Sequence, residues 1–546
     1  MKKALLFLVV FILAIGIFAM GEVKYGGIPV FGFTSGLQQP NYNPFSPSAM
    51  YGIQGTVFEP LMFLNVITGD VKPWLALSYE WKNDNLELVF NLRKNVKWTD
   101  GAPFTAKDVV FTFNMLKAYP QMDLNGIWAS NLESVTSEGS YTVIFKFSKP
   151  NVPEFAFIAG LTAIVPEHIW SKVKDPSKFM NPDPVGTGPF ILEKFDQALQ
   201  VETYKKNPNY WQKGKPYVDG VKIRIFRTNN ANNLATIKGE IDWSSSFMPD
   251  VKRMFIDKNP EVNHAWVPHT GCVFLYPNNA KYPFNIAKFR LALSMAIDKA
   301  KVAEIGEYGY TPPANPTGLQ TQFMDKWFDK SLKPLLYSYD PQESVQILKS
   351  LGFKRNSSGF FINPKTGKPF SFSIIVVSGW TDWITSAGII ADNFKKVGLN
   401  VNVQQMSYGQ YMNSLYTGLY DLAIAGPFGI LNPYYAYNAM LNSKFTAPIG
   451  KNALTNWERW KDPVTDAMLN LFETTSNIVT QKRAMAVIER IMLTDVPTIP
   501  LFYTPVVEEF STRRFVGWPS ESNPYTSAAP WVTPTIGVTA LNIHLK

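Results

Sequence analysis

The chain has 546 residues, with 46% hydrophobic and 17% charged side chains, a length of about three to four domains at roughly 150 residues each. Such a chain buries ample apolar surface and is neither disordered nor dependent on disulfide staples. One Cys and four His exclude an intramolecular disulfide framework and a Cys-rich metal centre, and a net charge of +9 without a Lys/Arg block gives no support to nucleic-acid binding.

The first residues read as an export signal. Lys2 and Lys3 precede an apolar run from Ala4 to Ala19, and Ala19-Met20-Gly21 is a small-x-small cleavage pattern. Residues 1–21 are expected to be removed, and with no Cys beside the cleavage site a lipid anchor there is not expected. The mature protein is expected to be periplasmic or extracellular.

Leu86, Leu88, Phe90 and Leu92 alternate with polar residues as in a half-buried strand. Thr105, with Asp108 three residues on, is a capping-box start for a helix through Val109, Phe113 and Leu116. Tyr141 to Phe147 alternates again. Pro184-Val185-Gly186-Thr187-Gly188-Pro189 is rigid punctuation, followed by strand-like stretches at 190–192 and 221–225. A second module starts near Cys272, with a helix expected over 288–302. Asp340-Pro341-Gln342-Glu343 opens another helix, which Gly352 ends. Asn356 to Phe370 reads as turn-rich. The strand at 372–377, the helix through Ile384 and Phe394, and the strand at 399–403 form a βαβ unit, which implies a parallel or mixed sheet. From Pro505 onward few helix signals remain.

No zincin, nucleophile-elbow or Walker motif is present, and Gly186-Thr187-Gly188 lacks the third glycine of a phosphate loop. Cys272 lies in the apolar run Cys-Val-Phe-Leu-Tyr and reads as a buried, inert thiol. No enzyme activity and no cofactor or metal is expected. The chain is instead rich in aromatic and amide loops. Trp380-Thr381-Asp382-Trp383 falls at the strand-to-helix junction of the βαβ unit, where open α/β sheets place ligands. Trp faces stack on the apolar faces of pyranose rings, and carboxylates and hydroxyls bond the ring hydroxyls. Asp242-Trp243-Ser244-Ser245-Ser246, Asn41-Tyr42-Asn43, the tyrosines 434, 435 and 437, and Trp531 are further clusters of this kind. Each also fits an ordinary core or turn role.

Several stretches in order resemble the solute-binding proteins of family five, the dipeptide-, oligopeptide- and nickel-binding type that serves ABC importers. They include Phe90-Asn91-Leu92-Arg93 through Trp98-Thr99-Asp100-Gly101, Phe104-Thr105-Ala106-Lys107-Asp108-Val109-Val110-Phe111, Asn207-Pro208-Asn209-Tyr210-Trp211, Arg290 to Asp298, and Asp495-Val496-Pro497-Thr498-Ile499-Pro500. The resemblance implies an α/β fold of the periplasmic-binding-protein type, with two lobes and an additional α/β domain. Lobe I would take 22–50, 186–271 and 505–546, the additional domain 51–185, and lobe II 272–504. It implies a monomeric receptor whose partners are a small solute and the membrane-bound permease subunits.

Peptide binders of the family carry an Asp after the Tyr420-Asp421 motif that pairs with the peptide amino group, and that position here is Ile430. A cation buried against Ile would be unpaired and costly. Gly379-Trp380-Thr381-Asp382-Trp383 and Gly239-Glu240-Ile241-Asp242-Trp243-Ser244 look like the oligosaccharide-binding branch of thermophilic bacteria. The expected ligand is therefore a β-linked gluco-, manno- or xylo-oligosaccharide, with a peptide as the alternative. Trp380, Trp383, Trp243 and Trp531 would meet sugar rings, Asp382, Asn43 and Ser244 would bond hydroxyls, and Tyr408 and Tyr411 would line the second lobe.

Overall fold

The computed structural model describes residues 23–426, 431–453, 455–527 and 532–546. The expected export signal, Ile430 and Trp531 lie outside the described residues. Among those described, no helix is long and apolar enough to cross a membrane.

Three sheets organise the chain. The first has seven strands in the order Asn263–Trp266, Glu508–Ser511, Trp243–Ser245, Val30–Thr34, Gly220–Phe226, Val201–Lys206 and Phe190–Asp196. The second has five, in the order Asn400–Met406, Ser371–Val377, Leu422–Ala425, His269–Pro277 and Ile499–Pro505. The third is an antiparallel sheet of Ala76–Lys82, Glu87–Leu92, Thr142–Phe147 and Leu132–Glu138, covered by the helix Ala106–Ala118, whose Phe113 packs edge-on to Phe145 at 4.8 Å.

The first and second sheets are joined by one antiparallel ribbon. Asn263–Trp266 pairs with Glu508–Ser511 in the first sheet. The same two segments continue as His269–Pro277 and Ile499–Pro505, paired in the second. Between them Val506 N donates to Pro268 O at 3.0 Å, so the ribbon stays hydrogen-bonded where it crosses.

Local signals explain most elements. Thr105 and Asp108 form the reciprocal capping box, and the Asp340 side chain accepts from Glu343 N at 2.9 Å. Ser371–Val377 and Asn400–Met406 pair in parallel, and the helix Thr381–Lys396 between them buries Ala387, Ile390, Ala391 and Phe394. The Gly186–Gly188 turn is a backbone crossing: a Cβ on Gly186 would lie 1.9 Å from Val57 O.

Two expectations need correction. The helix expected over 288–302 runs only Ala287–Ala296, because Ile297 is extended (φ −90°, ψ 120°), and Asp298 restarts the chain by capping Lys301 N at 3.0 Å. The C-terminal stretch holds a helix, Thr535–Asn542. Its residues are poor helix formers, but it is buried nearly all round, and tertiary packing overrides propensity.

Glu59 ties the third sheet's surroundings to the first. It is fully buried and accepts from Trp74 Nε1 (2.8 Å), Tyr210 OH (2.7 Å) and Trp211 Nε1 (3.1 Å). Burial outweighs these donors and pushes its carboxyl up to about 7, and burial does the same to Glu202, which accepts from Tyr204. The folded chain therefore holds these protons more tightly than the unfolded one. Their stabilisation, at most roughly 3 kcal/mol each, is fully present below about pH 4.5 and is lost as pH rises to 7. Melting temperatures measured across this window should fall with pH, and Glu59→Gln should make the fall shallower. A melting temperature equally steep in the variant would contradict this.

Candidate functional site

A cleft of about 320 Å³ opens between the first and second sheets, with residues 504–507 of the crossing ribbon forming part of its wall. From the first sheet's side come Thr34, Ser35, Asn229, Ser245, Ser246 and Phe247. From the second come Val273, Glu307, Trp380, Asp382, Trp383 and Tyr408.

The aromatic wall is built at one junction. The strand Ser371–Val377 ends, and Gly379 turns the chain at φ +90°, a conformation that suits glycine. A Cβ there would also lie 3.1 Å from Thr228 Cγ2, the residue that caps the helix Asn229–Ile237 on the opposite wall. The turn sets Trp380 and Trp383 edge to face (centroids 5.0 Å apart, planes at 84°), with Tyr408 6.0 Å from Trp380. Both Trp are only partly buried, and Tyr408 is exposed.

A polar network faces this wall. Thr34 Oγ1 lies 2.9 Å from Ser246 Oγ, and Ser246 Oγ donates to Asn229 Oδ1 at 3.3 Å. Asn229 Nδ2 then donates across the cleft to Asp382 Oδ1 at 3.4 Å. Ser35 Oγ donates to Tyr51 OH at 3.0 Å. Burial pushes the Asp382 carboxyl up to about 6, against the backbone N–H of Trp383 and the Asn229 amide, which favour its charge. Glu307 is raised as well, first by burial and then by the Asp382 charge. Among the described residues lining the cleft there is no Lys or Arg.

The structure thus brings Trp380, Asp382, Trp383 and Tyr408 together, and places four other expected residues elsewhere. Trp243 is fully buried in the first sheet's core, edge-on to Phe31 at 4.9 Å, and its Nε1 donates to Glu508 Oε1. Ser244 is buried on the opposite face of that strand, beside Glu509. Asn43 is buried and donates to Pro176 O and Phe179 O, both at 3.0 Å, so it pins a loop. Tyr411 lies one turn beyond Tyr408 on the buried face of the helix Tyr408–Thr417 and donates to Ile424 O. The tyrosines 434, 435 and 437 are buried, each bonded by its hydroxyl. Glu307 and Asn229 were not singled out from the sequence. An acid within Ala-Glu-Ile-Gly-Glu-Tyr carries no motif, and Asn229 reads as part of an Asn-rich helix start.

Two lobes bridged by a ribbon, with a ligand-sized cleft between them, define the class of bivalved solute receptors. The family model for bacterial extracellular solute-binding proteins, family 5, matches residues 70–447. The chain belongs to this family, whose members are transport receptors of ABC importers and not enzymes. The oligopeptide-binding protein AppA of Bacillus subtilis is 25% identical over 356 residues, 63% of each chain. A periplasmic oligopeptide-binding protein of an ABC transporter from Thermotoga maritima, solved with mannohexaose bound, is 30% identical with a TM-score of 0.87. That match covers 96% of this chain and 99% of the other. The AppA structure with a nonapeptide is 21% identical with a TM-score of 0.81, over 96% of this chain and all of AppA, and shares the fold.

Replacing Trp243 by Phe leaves Glu508 Oε1 without its donor and should cost about 1–3 kcal/mol of stability. Ligand affinity in the folded variant should be unchanged. Chemical denaturation and calorimetric titration of that variant check both, and an affinity loss at full stability would contradict the placement of Trp243 in the core.

Proposed function

We propose that this chain is the exported receptor of an ABC importer for an oligosaccharide of β-linked glucose, mannose or xylose units, which it hands to the membrane permease. The observation that carries this reading is the cleft's composition. A wall of Trp380, Trp383 and Tyr408 faces hydroxyl and amide groups of Thr34, Ser246 and Asn229, with no basic side chain among the described residues that line it. Ring faces and neutral hydrogen-bonding groups match pyranose chemistry, whereas a peptide's carboxylate would enter without a cation. The mannohexaose held by the Thermotoga maritima relative supports the same class.

Residues 1–21 act as the cleaved signal in this reading, and the mature chain works as a monomer. The moving bodies are 22–50, 186–271 and 505–546 on one side and 272–504 on the other, with 51–185 as an additional domain. Closure follows from contacts made to ligand by both walls at once, which exist only in the closed state. A second reading, an oligopeptide, is favoured by the acidic pair of Asp382 and Glu307, which offers a place for an amino terminus, and by the names of the relatives.

A thermal-shift screen of the mature chain with manno-, cello- and xylo-oligosaccharides beside di- to pentapeptides separates the two. A ligand at about 100 times its dissociation constant adds roughly 2.7 kcal/mol, a readable shift. A sugar should stabilise and peptides should not. Trp380→Ala and Trp383→Ala should each weaken the sugar at least about tenfold, the scale of a lost aromatic anchor. Stabilisation by peptides alone would overturn the reading.

A further inference from the structure

Glu307 is placed at cost. The chain enters it through a π-helical turn, Val302–Gly306, a rare geometry concentrated at functional sites. It leaves through Tyr308 at φ +54°, unusual for a bulky residue. The turn is pressed so closely on the helix Thr381–Lys396 that a Cβ on Gly306 would lie 2.1 Å from Ser386 Oγ. The result is a fully buried carboxyl lining the cleft. Its Oε1 accepts from Ser386 Oγ at 3.1 Å, while Oε2 has no hydrogen-bond partner among the described residues.

Few groups compensate a charge there. From the helix Thr381–Lys396, Ser386 gives one hydroxyl and Asp382 a second carboxylate, which itself meets Asn229 from the far wall. Tyr408 adds a ring from the helix Tyr408–Thr417, and no cationic side chain is among the described residues lining the cleft. A buried ion with one donor is strongly disfavoured, and a neighbouring carboxylate disfavours it further. The pair is therefore arranged to hold one proton between its two carboxyls, on the more buried partner, Glu307.

We infer that Glu307 is a specificity-determining contact which offers its acid O–H, from Oε2, to a hydroxyl or ring oxygen of the bound sugar, with the charge kept on Asp382. This rests on the oligosaccharide reading above. A neutral acid beside an anion suits a neutral polyhydroxyl ligand. An ammonium-bearing ligand would instead require both carboxyls ionised and would expel the shared proton.

The test is calorimetric titration of the full mature chain with mannohexaose from about pH 6 to about pH 9, in two buffers of different ionisation enthalpy. Affinity should fall as Glu307 ionises, approaching about tenfold per pH unit, the limit for one linked proton. Glu307→Gln cannot ionise and should bind a few-fold more weakly than the parent at pH 7, with a flat profile from there to pH 9. Glu307→Ala should be at least about tenfold weaker at pH 6, the scale of a lost buried hydrogen bond. Parental affinity that is flat with pH and unchanged in both variants would overturn the inference while leaving the sugar reading intact. Proton release on binding a glucosamine oligomer or a peptide, with neutral sugars weaker, would overturn it in favour of a cation site. No binding by any sugar at any pH would overturn both readings together.

Discussion

Two segments of the chain cross side by side from one sheet to the other, and the cleft exists because of that crossing. Residues 263–277 and 499–511 pair antiparallel on both sides, with the Val506–Pro268 hydrogen bond in the gap. A paired ribbon bends more readily than it shears, since sliding one strand by a residue would turn every side chain to the wrong face. It therefore fixes where the walls meet. Thr504 to Val507 line the cleft at this crossing, so the ribbon that joins the two sheets is also part of the cleft wall.

The chemistry of the walls follows from what each sheet can spare. On the first side, the strand Trp243–Ser245 buries Trp243 in the core, and where it ends Ser245 and Ser246 line the cleft. On the second, the junction after Val377 puts two indoles and a carboxylate into the space at the carboxyl end of a parallel strand. Asn229, at the start of a capped helix, bridges the two walls through Asp382. The described walls thus touch through a polar contact that a ligand hydroxyl can replace. Burial raises both of the cleft's acids, Glu307 and Asp382, and so disfavours a second negative charge beside the first.

Much of this was legible in the sequence where one local rule decides. The caps at Thr105 and Asp340, the βαβ unit and the placement of Trp380, Asp382 and Trp383 depend on spacing within a few residues. What failed depends on distant partners. Trp243 and Trp380 look alike in sequence, a Trp beside Asp and small hydroxyls, and only the opposing Glu508 and Phe31 make the first a core residue. Tyr408 and Tyr411 lie one turn apart on nearly the same helix face, but Tyr408 sits at the open first position and lines the cleft, whereas Tyr411, one turn deeper, is buried and donates to Ile424 O. Glu307 carries no local signal, because its importance lies in the π-helical turn and the missing partner.

The central claim is that sugar rings lie against the Trp380–Trp383 wall while the opposite wall bonds their hydroxyls. A crystal structure of the mature protein grown with mannohexaose tests it most directly. The account predicts pyranose units in van der Waals contact with at least one of these indole faces, and ligand oxygens within hydrogen-bond reach of Asp382, Asn229 or Glu307. A cleft occupied by a co-purified peptide despite excess sugar, its amino terminus between Glu307 and Asp382, would contradict it.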